Sequence, residues 1–238
     1  MKLQKNYLIR NTIRQLNKSD LNIGVSELVL NKLREYPTYS PKDEFVLYNG
    51  VDTSKFHPIK CDINKTFTIG CVANFWEIKD QITLIKSTQK ILEDGKKIKL
   101  RMIGSGPTLK SCKKYVFENN LTKYILFENE IIHKELNDFY NSIDLFVLPS
   151  YYEALGCVYL ESWATNTPFI GIEDQGISEL IPEKDRKIFL AEVNSTESLK
   201  EKILIAFNNR NCYPFVSKYD IKNTIKEFMN YSFFKSND

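Results

Sequence analysis

Short β-rich apolar runs alternate with stretches of helical period through most of this chain, and that alternation leaves few folds open. The runs lie at 44–48 (EFVLY), 66–73 (TFTIGCVA), 98–103 (IKLRMI), 124–127 (YILF), 143–148 (IDLFVL) and 168–172 (PFIGI), with a weaker one at 187–190. Between them, Ile78, Ile82, Ile85 and Leu92 fall near one helical face, and Leu136, Phe139 and Tyr140 share another. The runs are nearly continuous in apolar residues, as in strands covered on both faces. The alternation therefore predicts an α/β domain with a doubly wound, Rossmann-like parallel sheet. We divide the chain into 1–45, the α/β domain 46–212, and a helical tail 213–238.

The ends depart from the pattern. Residues 1–18 carry Lys2, Lys5, Arg10, Arg14 and Lys18 with no acid before Asp20. Two readings are open: a basic amphipathic helix at a membrane surface, and a solvated helix. The narrow apolar face of Leu3, Tyr7, Ile13 and Leu16 favours the second. Residues 52–65 read as a linker. The tail, with Ile221, Ile225, Phe228, Met229, Phe233 and Phe234, reads as a helix packed on an apolar surface.

Charge and cysteine usage exclude several classes. Lys and Arg number 33 against 30 Asp and Glu, and a net charge of +3 does not point to a nucleic-acid partner. No apolar run approaches the roughly 18 residues that span a bilayer, and the start lacks the apolar core of a secretory signal. Cys61, Cys71, Cys112, Cys157 and Cys212 show no C-x-x-C spacing. They read as reduced thiols of a cytoplasmic protein, without a disulfide framework or zinc site.

An open parallel sheet binds ligands beyond the carboxyl ends of its strands. After 143–148 comes the stretch from Pro149 to Glu161, in which Gly156 opens a helix whose free N–H groups attract phosphate. Glu153 and Glu161 are eight positions apart, or roughly 12 Å along a helix axis. That separation suits the two ends of a nucleotide sugar and exceeds the roughly 9.5 Å limit of a glycosidase pair. The competing reading makes Glu153 a helix cap and Glu161 a solvated helix residue. Gly104-x-Gly106 could open a dinucleotide site, but Leu109 stands where the third glycine belongs, and Pro107 fits the first position of a helix. His57 and His133 read as surface or linker histidines. There is no Asp-x-Asp pair for a metal–diphosphate bridge and no G-x-x-x-x-G-K-[ST] loop.

Taken in order, these pieces resemble the nucleotide-binding half of a glycosyltransferase family 4 enzyme of the GT-B fold. The matching residues are Asn49-Gly50-Val51-Asp52 with Phe56 and Pro58, Lys79-Asp80, Gly104-Ser105-Gly106-Pro107, the stretch from Phe139 to Ser150, Glu153 with Glu161, and Pro168-Phe169-Ile170-Gly171. Val25-Ser26 resembles the last strand of the family's acceptor-side domain. The resemblance implies that Glu153 bonds hydroxyls of the donor sugar, Glu161 bonds the ribose, and N–H groups of Gly156, Cys157 and Val158 hold the diphosphate. It makes Lys79 the cation that neutralises the leaving diphosphate, so that Lys79 and Glu153 are the candidate catalytic residues. Asn74 and Gly104 join the donor site, and Glu130 and Ile131 stand beside the nucleobase. The family usually has an arginine five residues before the lysine. Asn74 occupies that place here, with Trp76 nearby, which weakens phosphate clamping unless another cation substitutes.

The implied reaction is retaining hexosyl transfer from a nucleotide-diphosphate sugar to a polysaccharide or lipid-linked acceptor, without a metal or other cofactor. The implied architecture is a single GT-B C-terminal lobe. Only 48 residues precede Asn49, too few for an acceptor lobe of typical domain size, so 1–45 reads as its remnant. The expectation is a truncated or split enzyme whose acceptor lobe comes from a partner chain. It would work in the cytoplasm, with peripheral contact at the inner membrane face as a further expectation. The alternatives are a non-catalytic nucleotide-sugar-binding module, a subunit of a two-chain transferase, and a degenerate pseudoenzyme favoured by Asn74.

Overall fold

Ile69 lies between Leu100 and Leu145 on its neighbouring strands, and all three side chains are fully buried. Burying one such side chain stabilises the fold by about 1.5–3 kcal/mol, which is why these runs form the centre of a covered sheet. The structure is a computed structural model that describes residues 2–59, 66–209 and 214–235. The described elements begin with α1 (Lys2–Leu16), β1 (Asn22–Gly24), α2 (Glu27–Arg34) and β2 (Glu44–Val46). They continue with β3 (Phe67–Val72), α3 (Gln81–Glu93), β4 (Ile98–Ile103), α4 (Leu109–Glu118), β5 (Ile125–Glu128), α5 (Leu136–Asn141) and β6 (Leu145–Val147). The last are α6 (Cys157–Ala164), β7 (Phe169–Ile172), α7 (Glu183–Phe189), β8 (Leu190–Ala191), α8 (Thr196–Asn209) and α9 (Ile221–Lys235).

Strands β3 to β8 form one parallel sheet in the order β5-β4-β3-β6-β7-β8. The winding reverses between β3 and β6, so a crevice opens there beyond the strand ends. This is the doubly wound α/β architecture expected from the alternation. The aromatic chain Tyr140, Phe146, Tyr159, Phe169 and Trp163 fills the core beneath the β6–β7 side, with successive ring centroids 5.3–5.9 Å apart.

Several local expectations require correction. The run 44–48 shortens to β2 and pairs with β1 in a separate two-stranded parallel sheet. Its residues are only half-buried, because no layer covers both faces. The run 187–190 divides into the end of α7 and a two-residue strand. Glu183 and Asp185 near the start of α7, with Arg186 and Lys187 near its end, match the helix dipole and extend the helix through Phe189. The expected linker 52–65 is partly built into the fold: Phe56 is buried, and the His57 N–H donates to the Asn137 side-chain oxygen at 3.0 Å. Residues 60–65, with Cys61, and 210–213, with Cys212, lie outside the described residues.

Among its described residues, helix α9 buries the stripe assigned to it only in part, with Ile221 and Phe228 half-buried. Ile225 is 54% and Met229 58% exposed. The helix docks instead through Thr224, which is buried, and through Tyr231, whose ring stacks on Phe45 at 4.0 Å and whose hydroxyl donates to Asp43 at 2.6 Å. The side chains of Leu3, Tyr7, Phe233 and Phe234 are outside the described residues. In α1, Ile13 is buried while Leu8 is exposed. The segment carrying α2 is fastened by Glu179, whose carboxylate accepts from the N–H groups of Glu27 and Leu28, each at 2.8 Å, and from the Tyr48 hydroxyl at 3.1 Å. Among the described residues, no helix is long and apolar enough to cross a membrane.

Candidate functional site

The loops after β3, β4, β5 and β6 converge on a cleft of about 440 Å3 at the reversal point of the sheet. That volume lies in the range of roughly 300–1,000 Å3 usual for small-molecule sites. Asn74, Lys79, Gly104, Glu130, Ile131, Glu153, Gly156, Cys157 and Val158 all line it. The structure therefore brings nine of the ten residues singled out from the sequence to one place. The tenth, Glu161, lies one turn further along α6 and is not part of the cleft wall.

The wall closes tightly because two glycines permit it. Gly104 has φ +139°, and a Cβ there would sit 2.1 Å from the carbonyl oxygen of Ala73. Only a residue without a side chain lets the β4 loop pass the end of β3 at that distance. Gly156, with φ +80°, caps α6, and no side chain occupies the helix N-terminus. In the first turn of α6 the Tyr159 N–H donates to the Gly156 carbonyl at 3.0 Å, while the N–H groups of Cys157 and Val158 stand at the open helix end, with the positive end of its dipole.

Lys79 ends a short 3-10 turn (Glu77–Lys79) after β3 and forms an ion pair with Glu153 across the cleft. It is the one cation lining the cleft among the described residues, so no described lysine or arginine of the wall compensates for Asn74. Glu153 lies in the loop before α6. Gln175 accepts from its N–H at 2.9 Å, and its carbonyl accepts from Gly176 N–H at 3.1 Å. Glu153 is thus not the cap of α6. Because residues 153–155 are not helical, the 1.5 Å rise applies only from the start of α6 onward.

Glu161 is not a solvated helix residue, being 8% exposed. Tyr140 donates its hydroxyl to one carboxylate oxygen at 2.9 Å, and His133 Nε2 lies 3.2 Å from the other. Burial, reinforced by the Glu161 charge, pushes the Tyr140 hydroxyl pKa well above its ordinary value. The Tyr140 hydroxyl therefore remains a donor. His133 is at the surface, as expected, and its ring packs edge-on against Phe56 at 5.2 Å. Its contact with Glu161 was invisible in the sequence because neither residue has a local motif for the other. His57, by contrast, is exposed and outside the cleft.

Asn49, from the Asn49-Gly50-Val51-Asp52 stretch, donates to the Cys157 sulfur at 3.3 Å. On the β4–β5 side of the cleft, Ser105 donates its hydroxyl to the Glu130 carboxylate. Among the described residues, no three His, Cys, Asp or Glu side chains come together as ligands for a metal ion. Chemically, the cleft offers a helix N-terminus for an anion, a cation beside it, carboxylates for hydroxyl groups and an apolar wall at Ile131.

Comparison with known proteins gives this arrangement a family. Residues 54–223 match the family of glycosyl transferases group 1. The capsular polysaccharide biosynthesis glycosyltransferase CapM of Staphylococcus aureus is 30% identical over 166 residues, covering 68% of this chain and 41% of that protein. The alpha-monoglucosyldiacylglycerol synthase of Streptococcus pneumoniae is 26% identical over 191 residues, covering 75% of this chain and 42% of that protein. Across the curated relatives, the aligned part covers 37–50% of their length. Among solved structures, Anabaena HepE in complex with UDP and glucose superposes with a TM-score of 0.81 at 16% identity, over 93% of this chain and 65% of that one. The C-terminal domain of the group 1 glycosyl transferase LpcC from Francisella tularensis superposes with a TM-score of 0.61 at 20% identity, over 75% of this chain and 98% of that domain. The doubly wound lobe is the GT-B architecture expected from the sequence, and the chain belongs to the glycosyl transferases group 1 family.

Proposed function

We propose that the cleft binds a nucleotide-diphosphate sugar and that the chain is the donor-binding part of a retaining hexosyltransferase. The observation that carries the proposal is the uncapped N-terminus of α6, opening between the Lys79–Glu153 pair and the buried Glu161 carboxylate. A diphosphate seated there would draw on the N–H groups of Gly156, Cys157 and Val158 and share the Lys79 ammonium. Glu153, relieved of part of that pairing, would accept from hydroxyls of the sugar. Glu161, held by Tyr140, would accept from the ribose, and Glu130 and Ile131 would flank the base.

In the proposed reaction the bond from the anomeric carbon to the diphosphate oxygen breaks as a bond to the acceptor oxygen forms on the same face. The acceptor hydroxyl proton passes to the departing diphosphate. Lys79 stabilises the charge that develops on that leaving group. No metal takes part in this scheme. A polysaccharide or lipid-linked acceptor is favoured because relatives are named for capsular polysaccharide biosynthesis and for glycosyl-diacylglycerol synthesis. The reading puts the chain in the cytoplasm, with Arg10 and Arg14 of α1 and Lys18 just after it available for peripheral contact with a membrane.

The test is thermal unfolding of residues 1–238 in the presence of UDP, GDP and ADP sugars. At a ligand concentration 100 times Kd, mass action adds about 2.7 kcal/mol of stability. One of the three series should raise the midpoint, and no rise with any of them overturns the reading. A second reading, a non-catalytic nucleotide-sugar-binding module, is favoured by Asn74 and the single cation of the cleft wall. Transfer assays on the same polypeptide, with and without a separately supplied acceptor lobe, distinguish the two. The first reading expects donor binding alone from residues 1–238 and transfer once the lobe is added. The second expects no transfer in either case.

A further inference from the structure

A second and larger groove, of about 750 Å3, lies on the other side of the turn that carries Lys79. Trp76 and Tyr151 line it, 56% and 38% exposed, and Tyr115 lies on its α4 side. These rings give the groove an aromatic lining open to a ligand. Glu77, Asp80 and Glu118 add three carboxylates, and Lys114 is the one cation. That ammonium lies 3.7 Å from Glu118, so it is already partly neutralised.

This chemistry selects among ligands. A phosphate or nucleotide would meet three carboxylates and no free cation. A purely apolar ligand would leave the carboxylates without partners. A sugar presents C–H faces to aromatic rings and donates hydroxyls to carboxylates. We propose that the groove is a binding subsite for a neutral oligosaccharide, separate from the nucleotide cleft. The proposal stands on the groove alone and does not require the donor assignment.

The two sites share a wall. Trp76 accepts from Lys79 N–H at 2.9 Å, and Ile78 accepts from Tyr151 N–H at 3.1 Å. Gln81, buried at the start of α3, donates to the carbonyl of Asn74 at 2.9 Å. A saccharide held on Trp76 and Tyr151 therefore rests against the backbone that positions Lys79. Occupation of the groove keeps a sugar chain beside the cleft through successive events in it.

The experiment is saturation-transfer NMR on residues 1–238 with maltopentaose, mannopentaose, a galactose oligomer and an N-acetylglucosamine oligomer. At least one should show transfer from the protein, with Kd obtained by titration. Trp76→Ala and Tyr151→Ala should each weaken it roughly tenfold, whereas Trp76→Phe should retain most of the affinity. Near-UV circular dichroism, dominated by the buried Trp163, reports whether each variant is folded. The signal should persist in Glu161→Ala and in excess UDP or GDP. Absence of transfer with every oligomer overturns the proposal, as does binding indifferent to Trp76→Ala. Competition by the nucleotide would move the sugar to the cleft, and a lysine-rich peptide that alone binds the groove would assign it to a protein partner. Either result also overturns it.

Discussion

Tyr140 donates its hydroxyl to the Glu161 carboxylate at 2.9 Å, with both side chains withdrawn from solvent. The two residues come from consecutive helices of the fold, α5 and α6, that pack on the same side of the sheet. A buried carboxylate needs such partners, and a charge-assisted bond holds its orientation more firmly than a neutral one. His133 Nε2 lies 3.2 Å from the other oxygen, so both carboxylate oxygens are held in place.

Replacing Glu161 by Ala should weaken binding of the matching nucleoside diphosphate. A hydrogen bond to a charged group is worth about 1.5–3 kcal/mol, so the loss is roughly one to two powers of ten in Kd. Isothermal titration of the wild type and of the variant, checked by circular dichroism, measures it. An unchanged Kd in a folded variant would remove the ribose assignment.

Glu153→Gln should separate sugar from nucleotide. The variant keeps the shape of the loop but loses the charge opposite Lys79. Affinity for UDP or GDP should hold or increase, since the ammonium is no longer shared, while affinity for the nucleotide sugar should fall relative to it. Parallel titrations with both ligands decide the matter. Equal weakening of both would mark Glu153 as a support of the loop and nothing more.

Gly156→Ala should damage the cleft through the backbone. Gly156 has φ +80°, and an added Cβ would lie 2.7 Å from the Tyr159 ring and 3.1 Å from Glu153 Cγ. The unfavourable backbone conformation alone costs of order 1–3 kcal/mol. A lower midpoint in urea unfolding is expected, with nucleotide binding lost at concentrations where the variant is still folded. Wild-type stability and affinity would show that the turn has no such constraint.

Cys157 offers a pH-dependent probe of the same cleft. Partial desolvation, then the nearby charge of Glu161, raises its thiol pKa above the ordinary value. Only the thiolate reacts, so alkylation by iodoacetamide should be slow at neutral pH and accelerate as pH rises toward that pKa. Bound nucleotide should slow it further. Cys71 and Cys112 are buried, with pKa values pushed up to about 12 and about 11 by burial, and should stay unmodified in the folded protein. Peptide mass spectrometry reads each site separately. A Cys157 rate unaffected by saturating nucleotide would place the ligand elsewhere.

Local pattern was enough for the sheet and for one wall of the cleft. Apolar runs such as 66–73 and 143–148 become β3 and β6 because a strand covered on both faces must be apolar along its length. The ends of such strands in a doubly wound sheet define where loops collect, which pointed to Glu153 and Gly156. Asn74, Gly104 and Glu130 were named through the family resemblance, and the fold brings them to the same cleft. The run 187–190 was only partly a strand, because its apolar residues suit the end of a helix as well: α7 runs through Phe189 and Leu190 begins β8. Tertiary structure alone decided the rest. It paired β2 with β1 outside the main sheet, buried Glu161 between Tyr140 and His133, and brought Lys79 to Glu153 across 74 residues. It also brought Trp76 and Tyr151 to one groove. Periodicity reports which face of an element is buried, whereas these contacts depend on which elements meet, and that is set only when the whole chain packs.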